Sequence, residues 1–170
     1  MSEHAGKVVK ARGAGWEGVV PEGYRPGAAV GIERHTILGG RKSSAVEPGP
    51  SMELRYFELQ HGAASRLEKH EHEHVVIVKR GIGHAIVAET VTEIGPNDVV
   101  YVGSMELHQF VNRGTEPFGF YCIVDAARDF SQQPTQEELD RLLASPAGKI
   151  AKPFAVPFER SHIRAPSGSV

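Results

Sequence analysis

Between residues 30 and 124 the chain repeats one pattern: short runs rich in β-branched and aromatic residues, separated by glycine-, proline- and asparagine-containing breaks. The runs cover 30–38, 52–59, 75–78, 84–88, 99–102, 109–112 and 118–124. Gly39-Gly40, Glu47-Pro48-Gly49-Pro50, His61-Gly62, Gly95-Pro96-Asn97-Asp98 and Arg113-Gly114 supply the breaks. Short strands at such regular spacing predict an all-β sandwich or barrel.

The pattern changes after Asp125. Leu139, Leu142 and Leu143 fall on one helical face, and Thr135 with Glu138 forms a capping box, so one helix is predicted over 136–144, its narrow apolar stripe covering one end of the barrel. Residues 1–27 are rich in glycine and charge and read as an arm anchored by Trp16. The expected organisation is therefore an arm over 1–27, a barrel over 28–127, and a helix with a proline-rich tail over 128–170. That tail is expected to dock Phe154 and Phe158 on the body or on a neighbouring subunit.

With 170 residues and a formal charge of −2, the chain suits one domain with a real core and has no general attraction to nucleic acid or an anionic membrane. No run of about 18 apolar residues could span a bilayer, and the N-terminus lacks a signal-like apolar stretch, so a cytoplasmic protein acting on a small molecule is expected. Cys122 is the single cysteine, which excludes an internal disulfide and a cysteine-built zinc site. Nine histidines leave imidazole and carboxylate as the donors for any metal.

Residues 66–83 concentrate those donors: Glu68, His70, His72 and His74 run directly into the β-branched stretch 75–78. On an unbroken strand rising about 3.3 Å per residue, His70 and His74 would stand roughly 13 Å apart. A turn near 71–73 removes that obstacle. It places Glu68 and His70 at the end of one extended segment, His74 at the start of the next, and His72 at the turn.

The stretch resembles the first motif of the cupin family, G-x5-H-x-H-x3,4-E-x6-G, with Gly62 and Gly81 at its ends and the inner donors permuted to Glu68, His70 and His74. The second cupin motif, G-x5-P-x-G-x2-H-x3-N, is similar to Gly95–Asn112. There His108 and Asn112 match, Gly103 and Met105 replace the motif's proline and second glycine, and the spacing from Gly95 is longer by two. The resemblance spans roughly residues 52–125. It implies a double-stranded β-helix (jelly-roll barrel), commonly dimeric, holding one divalent transition metal. Carried over residue by residue, the ligands are Glu68, His70, His74 and His108, with His72 or water as the alternative to Glu68. Manganese comes first, and Fe, Co, Ni or Zn suits the same donors. Asn112 is expected to brace a turn through backbone contacts.

Cys122 lies in the last β run, where both faces are apolar and parity does not choose its direction. It is either a small buried hydrophobe or, as the family resemblance implies, a thiol turned to the metal. Together these features are similar to those of cupins that remove a methylthio group from 1-methylthio-D-xylulose 5-phosphate to give 1-deoxy-D-xylulose 5-phosphate. That resemblance implies a methylsulfurylase in which Cys122 becomes a methyl disulfide and an external thiol such as glutathione completes the cycle. Tyr56 or His84, if inward-facing, is the candidate acid. Arg34, His35, Arg55 and Arg66 are candidates to hold the phosphate. Two other readings use the same barrel: an Fe- or Mn-dependent dioxygenase acting on a small organic substrate, and a non-catalytic small-molecule-binding cupin.

Overall fold

The computed structural model describes residues 9–23, 31–38, 52–125 and 128–156. Three two-residue strands come first: β1 (Ala11–Arg12), β2 (Gly15–Trp16) and β3 (Glu22–Gly23). The body follows as β4 (Ile32–Leu38), β5 (Met52–Leu59), β6 (His74–Arg80), β7 (Gly83–Val87), β8 (Thr90–Ile94), β9 (Val99–Val102), β10 (His108–Val111) and β11 (Phe118–Asp125). Helix α1 (Gln136–Ala144) and a 3-10 turn, Pro146–Lys149, close the described chain.

Two sheets form the body. One runs β3-β4-β5-β11-β6-β9 and the other β10-β7-β8. Every described pairing is antiparallel, so residues opposite one another in register share a face. Register therefore sorts the larger sheet: Arg55, Phe57, Val76, Val78, Phe120 and Cys122 share one face, and Tyr56, Ile77 and Tyr121 share the other. In the smaller sheet, Ala85 and Phe110 join Val76, Val78, Phe120 and Cys122 in the central apolar cluster, which puts these faces against each other. The result is the all-β barrel expected from the sequence.

The outward face of the smaller sheet has its own apolar layer. Ile86 and Val111 pack there with Leu67, Leu107, Leu142 and Ala147, with Val91 and Leu139 at its margin. Helix α1 thus covers a sheet face and not a barrel end. Its bounds are those the capping box predicts: Thr135 Oγ1 accepts from the Glu138 amide, and the Glu138 carboxylate accepts from the Thr135 amide. The same carboxylate accepts from Lys69 Nζ at 2.6 and 2.7 Å, tying the helix to the segment that precedes His70.

Strand β8 was not anticipated; its Thr-Val-Thr-Glu-Ile sequence is mostly exposed and carries little apolar signal. In the N-terminal arm, Trp16 packs edge-on against His35, Tyr56 and Tyr121 on the outer face of the larger sheet. At the other end Phe154 is 83% exposed, and Val156 enters the core instead. Phe158 lies outside the described residues, as do the turn residues 39–40 and 47–50. No helix among the described residues is long and apolar enough to cross a membrane.

Candidate metal centre

The segment leading to His70 runs beside β10 as an irregular strand. Ala64 pairs with Val111 and Glu68 with His108, the latter through reciprocal backbone bonds of 3.1 and 2.9 Å. This pairing sets Glu68 opposite His108, although forty residues separate them in the chain. The backbone then bends at Glu71–His72 before β6 begins at His74. The Met105 amide donates to the His70 carbonyl at 2.8 Å and holds the bend against the loop before β10.

Four imidazoles converge as a consequence. The His70 ring lies 3.9 Å from that of His72, 4.7 Å from His74 and 4.8 Å from His108, and His74 lies 4.6 Å from His108, all centroid to centroid. All four are buried. His70, His72 and His74 offer ligand atoms within 4.8 Å of one another, and so do Glu68, His70 and His108. His72 departs from expectation: the backbone does bend there, but the ring turns inward, fully buried and stacked on His70.

The far nitrogens of these rings are engaged. The His70 Nδ1 contacts the His72 carbonyl at 3.0 Å, the His108 Nδ1 the Glu106 carbonyl at 2.8 Å, and the His72 Nδ1 the Arg128 carbonyl at 3.3 Å. A carbonyl only accepts, so each Nδ1 carries the proton and each Nε2 keeps its lone pair. Among the described residues, His72 Nε2, His74 Nε2 and Glu68 Oε2 are buried without a hydrogen-bond partner. Buried lone pairs left open this way are costly unless something accepts them. Backbone-oriented imidazoles with inward lone pairs are what a divalent metal requires, so the residues present fit a metal.

Electrostatics point the same way. Burial, then the charges of neighbouring histidines, hold His74 far below the ordinary imidazole range. Burial and His70 lower His108 to about 3, and burial with His70 also lowers His72. His72, His74 and His108 are consequently neutral, the state that binds metal. Burial raises the Glu68 carboxyl, against a hydrogen bond from Ser131 and the nearby charges of His70 and Arg66.

Cys122 faces this cluster. Its sulfur lies 3.2 Å from His74 Nδ1, and burial pushes the thiol up to about 12, against the opposing pull of Arg55. Directly across the strand pair sits Arg55, on the same sheet face. Its guanidinium binds Glu53 and Asp129, each at 2.5 Å. Burial disfavours that guanidinium's charge, but these two carboxylates hold it firmly protonated. Arg66 is 1% exposed and stands 3.9 Å from Glu68.

The remaining candidates do not reach the cluster. Tyr56 points to the opposite face of the larger sheet, where it donates to Glu58 at 2.8 Å and where a Cβ on Gly119 would meet its hydroxyl. Its neighbour Arg55 takes the inward position, and strand alternation sends Tyr56 outward. His35 pairs with Tyr56 in register and shares that outer face, packed by Trp16. His84 pairs with Val111 and belongs to the outward face of the smaller sheet, beneath the second apolar layer. The candidate acids Tyr56 and His84 and the phosphate candidate His35 are therefore corrected by placement. Arg34 shares the face of Phe57 and is ion-paired with Glu22. Asn112 braces the turn after β10 as expected, donating to the carbonyls of Leu59 and Glu116 at 2.8 Å and accepting from the Gly114 amide.

One site residue was missed. Asp129 binds Arg55, and its Oδ1 lies near the His72 ring, 3.7 Å from Nε2 and beyond hydrogen-bond reach. No local sequence signal marks it, because its partner Arg55 is 74 positions away.

Residues 55–124 match the model of the cupin domain. The chain is 36% identical over 135 residues to the 1-methylthio-D-xylulose 5-phosphate methylsulfurylase of Rhodospirillum rubrum, covering 78% of this chain and 82% of that protein. Among solved structures it is similar to a cupin-2 domain from Rhodospirillum rubrum, with TM-score 0.67 and 34% identity over 81% of this chain and 88% of that one. A cupin 2 conserved barrel domain protein from Rhodopseudomonas palustris gives TM-score 0.68 and 31% identity over 82% and 94%.

Proposed function

This chain belongs to the cupin family, and we propose that it is a metal-dependent methylsulfurylase that takes the methylthio group from a small sugar phosphate, 1-methylthio-D-xylulose 5-phosphate, onto Cys122. One observation carries the reading: the only thiol of the chain sits against the histidine cluster, 3.2 Å from His74 Nδ1. The named activity of the Rhodospirillum rubrum relative supports the choice of substrate.

Glu68, His70, His74 and His108 would hold the ion, His70 being shared by the two donor groups Glu68-His70-His108 and His70-His72-His74, and His72 is a further donor. When bound, a divalent metal supplies positive charge and Lewis acidity beside the thiol and the substrate's oxygens. With His74 Nε2 turned to the centre, its Nδ1–H donates to the sulfur and steadies the thiolate. The thiolate attacks the methylthio sulfur, forming a new S–S bond as the C1–S bond breaks and its electron pair passes to carbon. The carbon gains one hydrogen and Cys122 has lost one, so the half-reaction balances. An external thiol then attacks the Cys122 methyl disulfide, leaves as the mixed methyl disulfide and restores the cysteine.

Incubating the metal-loaded protein with substrate in the absence of added thiol tests the reading. Mass spectrometry should find a methylthio adduct on the Cys122 peptide, and Cys122→Ala should retain metal while losing turnover. Turnover by Cys122→Ala, or oxygen uptake indifferent to that substitution, would favour a dioxygenase instead.

A further inference from the structure

The segment Arg128–Gln132 crosses the edge of the histidine cluster and contacts the residues around it at several points. The Arg128 carbonyl accepts from His72, Asp129 binds Arg55 and comes within 3.7 Å of His72, and Ser131 bonds Glu68. Gln132 then pairs with Lys69 through two backbone bonds of 3.1 and 2.8 Å.

Charge makes the Asp129 contact unusual. Arg55 already has a carboxylate of its own, Glu53, two residues away on the same strand and face. Asp129 is a second carboxylate on the same guanidinium nitrogen, buried like the first. One guanidinium nitrogen thus serves two buried carboxylates, and buried like charges this close are stable only while the cation between them balances both. Glu53 is fixed to Arg55 by the strand, whereas Asp129 belongs to a strap whose neighbours Arg128 and Phe130 are largely exposed.

We propose that Asp129 is a built-in stand-in for the substrate's phosphate: a phosphate dianion reaching Arg55 displaces it from the guanidinium and lifts the strap 128–132. A guanidinium presents several donors in one plane and accepts phosphate as readily as carboxylate, so the exchange conserves its bonds while Asp129 gains solvent. Arg55, not His35 or Arg34, is then the phosphate-reading cation, and Cys122 lies directly across the strand pair from it. The inference rests on the proposed function only in taking the substrate to carry a phosphate.

Calorimetry of the metal-loaded full chain with inorganic phosphate tests it. Asp129→Ala and Asp129→Asn should each bind phosphate at least tenfold more tightly than wild type, and adding Arg55→Gln should abolish that gain. In wild type, phosphate should raise hydrogen exchange at the Phe130 and Gln132 amides, which is readable even if a variant fails to fold. Equal phosphate affinity with and without Asp129, binding indifferent to Arg55→Gln, or strap amides unmoved by phosphate would each overturn the proposal. A methylthio adduct on Cys122 without these phosphate effects would leave the proposed function standing and remove the strap. The phosphate effects without an adduct would do the reverse.

Discussion

His74 Nδ1 and Cys122 Sγ stand 3.2 Å apart inside the barrel, although strands β6 and β11 that carry them are 48 residues apart in the chain. Burial governs the reactivity of this thiol. Burial raises Cys122 to about 12, so at pH 8 the thiol of the metal-free protein is almost wholly protonated. Metal-free protein should therefore react with iodoacetamide far more slowly than a free thiol, and saturation with a divalent cation should raise the rate by at least tenfold at the same pH. Equal alkylation rates with and without metal would show that the cation exerts no field on the sulfur.

Acid should destabilise the metal-free protein well before its carboxylates titrate. His72, His74 and His108 are all held below the ordinary imidazole value, chiefly by burial, with His108 at about 3. Between those depressed values and about 6.5 the unfolded chain binds protons that the folded chain refuses. Stability therefore falls as pH drops through that window, by about 1.4 kcal/mol per pH unit for each proton taken up on unfolding. Glu68 acts in the opposite sense, because burial raises its carboxyl and protonation favours the folded form. Urea midpoints of chelator-treated protein should decline steadily from pH 7 to pH 5, and His108→Asn should flatten the decline. A midpoint independent of pH in this range would contradict the buried neutral state of His72, His74 and His108.

How much of this was legible in the sequence depends on whether the determining contact was local. Thr135 and Glu138 specify the start of α1 within one turn, and its bounds followed directly. The need for a bend between His70 and His74 came from strand rise alone, and the structure bends at Glu71–His72. The inward turn of His72 did not follow, because it depends on the Arg128 carbonyl 56 residues away. Tyr56 and His84 went astray for a related reason. Both sheets are covered on two faces, by Trp16 on one side and by α1 on the other, so apolar alternation lost its power to tell inside from outside.

Gln109 shows what such a two-sided sheet demands. It is fully buried on the outward face of β10, where its amide donates to the carbonyls of Ser65 and Lys152 and accepts from the Lys152 amide, each at 2.8 Å. These bonds fasten the C-terminal segment to the barrel. Gln109→Ala would leave three part-buried backbone groups without these partners and should cost about 1–3 kcal/mol in denaturant unfolding. Gln109→Leu, of similar volume, should do no better, since the loss lies in the polar groups left behind. A loss under about 0.5 kcal/mol for both would show that Lys152 is held by other contacts.

Met105 is one of the places where this chain departs from the second cupin motif, which has glycine there, and this departure has a measurable cost. Its backbone lies in the left-handed region at φ 61°, while its amide donates to the His70 carbonyl at 2.8 Å. A side chain at such a φ is strained by roughly 1 kcal/mol, which glycine avoids. The Met105 side chain is 41% exposed and its one described polar contact is a long one, 3.8 Å from Gln132 Nε2 to its sulfur. Met105→Gly should therefore raise stability by about 0.5–1 kcal/mol, the relief of strain outweighing the greater freedom of glycine in the unfolded chain. Met105→Ala keeps the strain and loses the side chain, so it should be neutral or destabilising. Thermal unfolding of the two variants side by side separates backbone from side chain, and an alanine variant as stable as the glycine one would show that φ at this position is not what limits the loop.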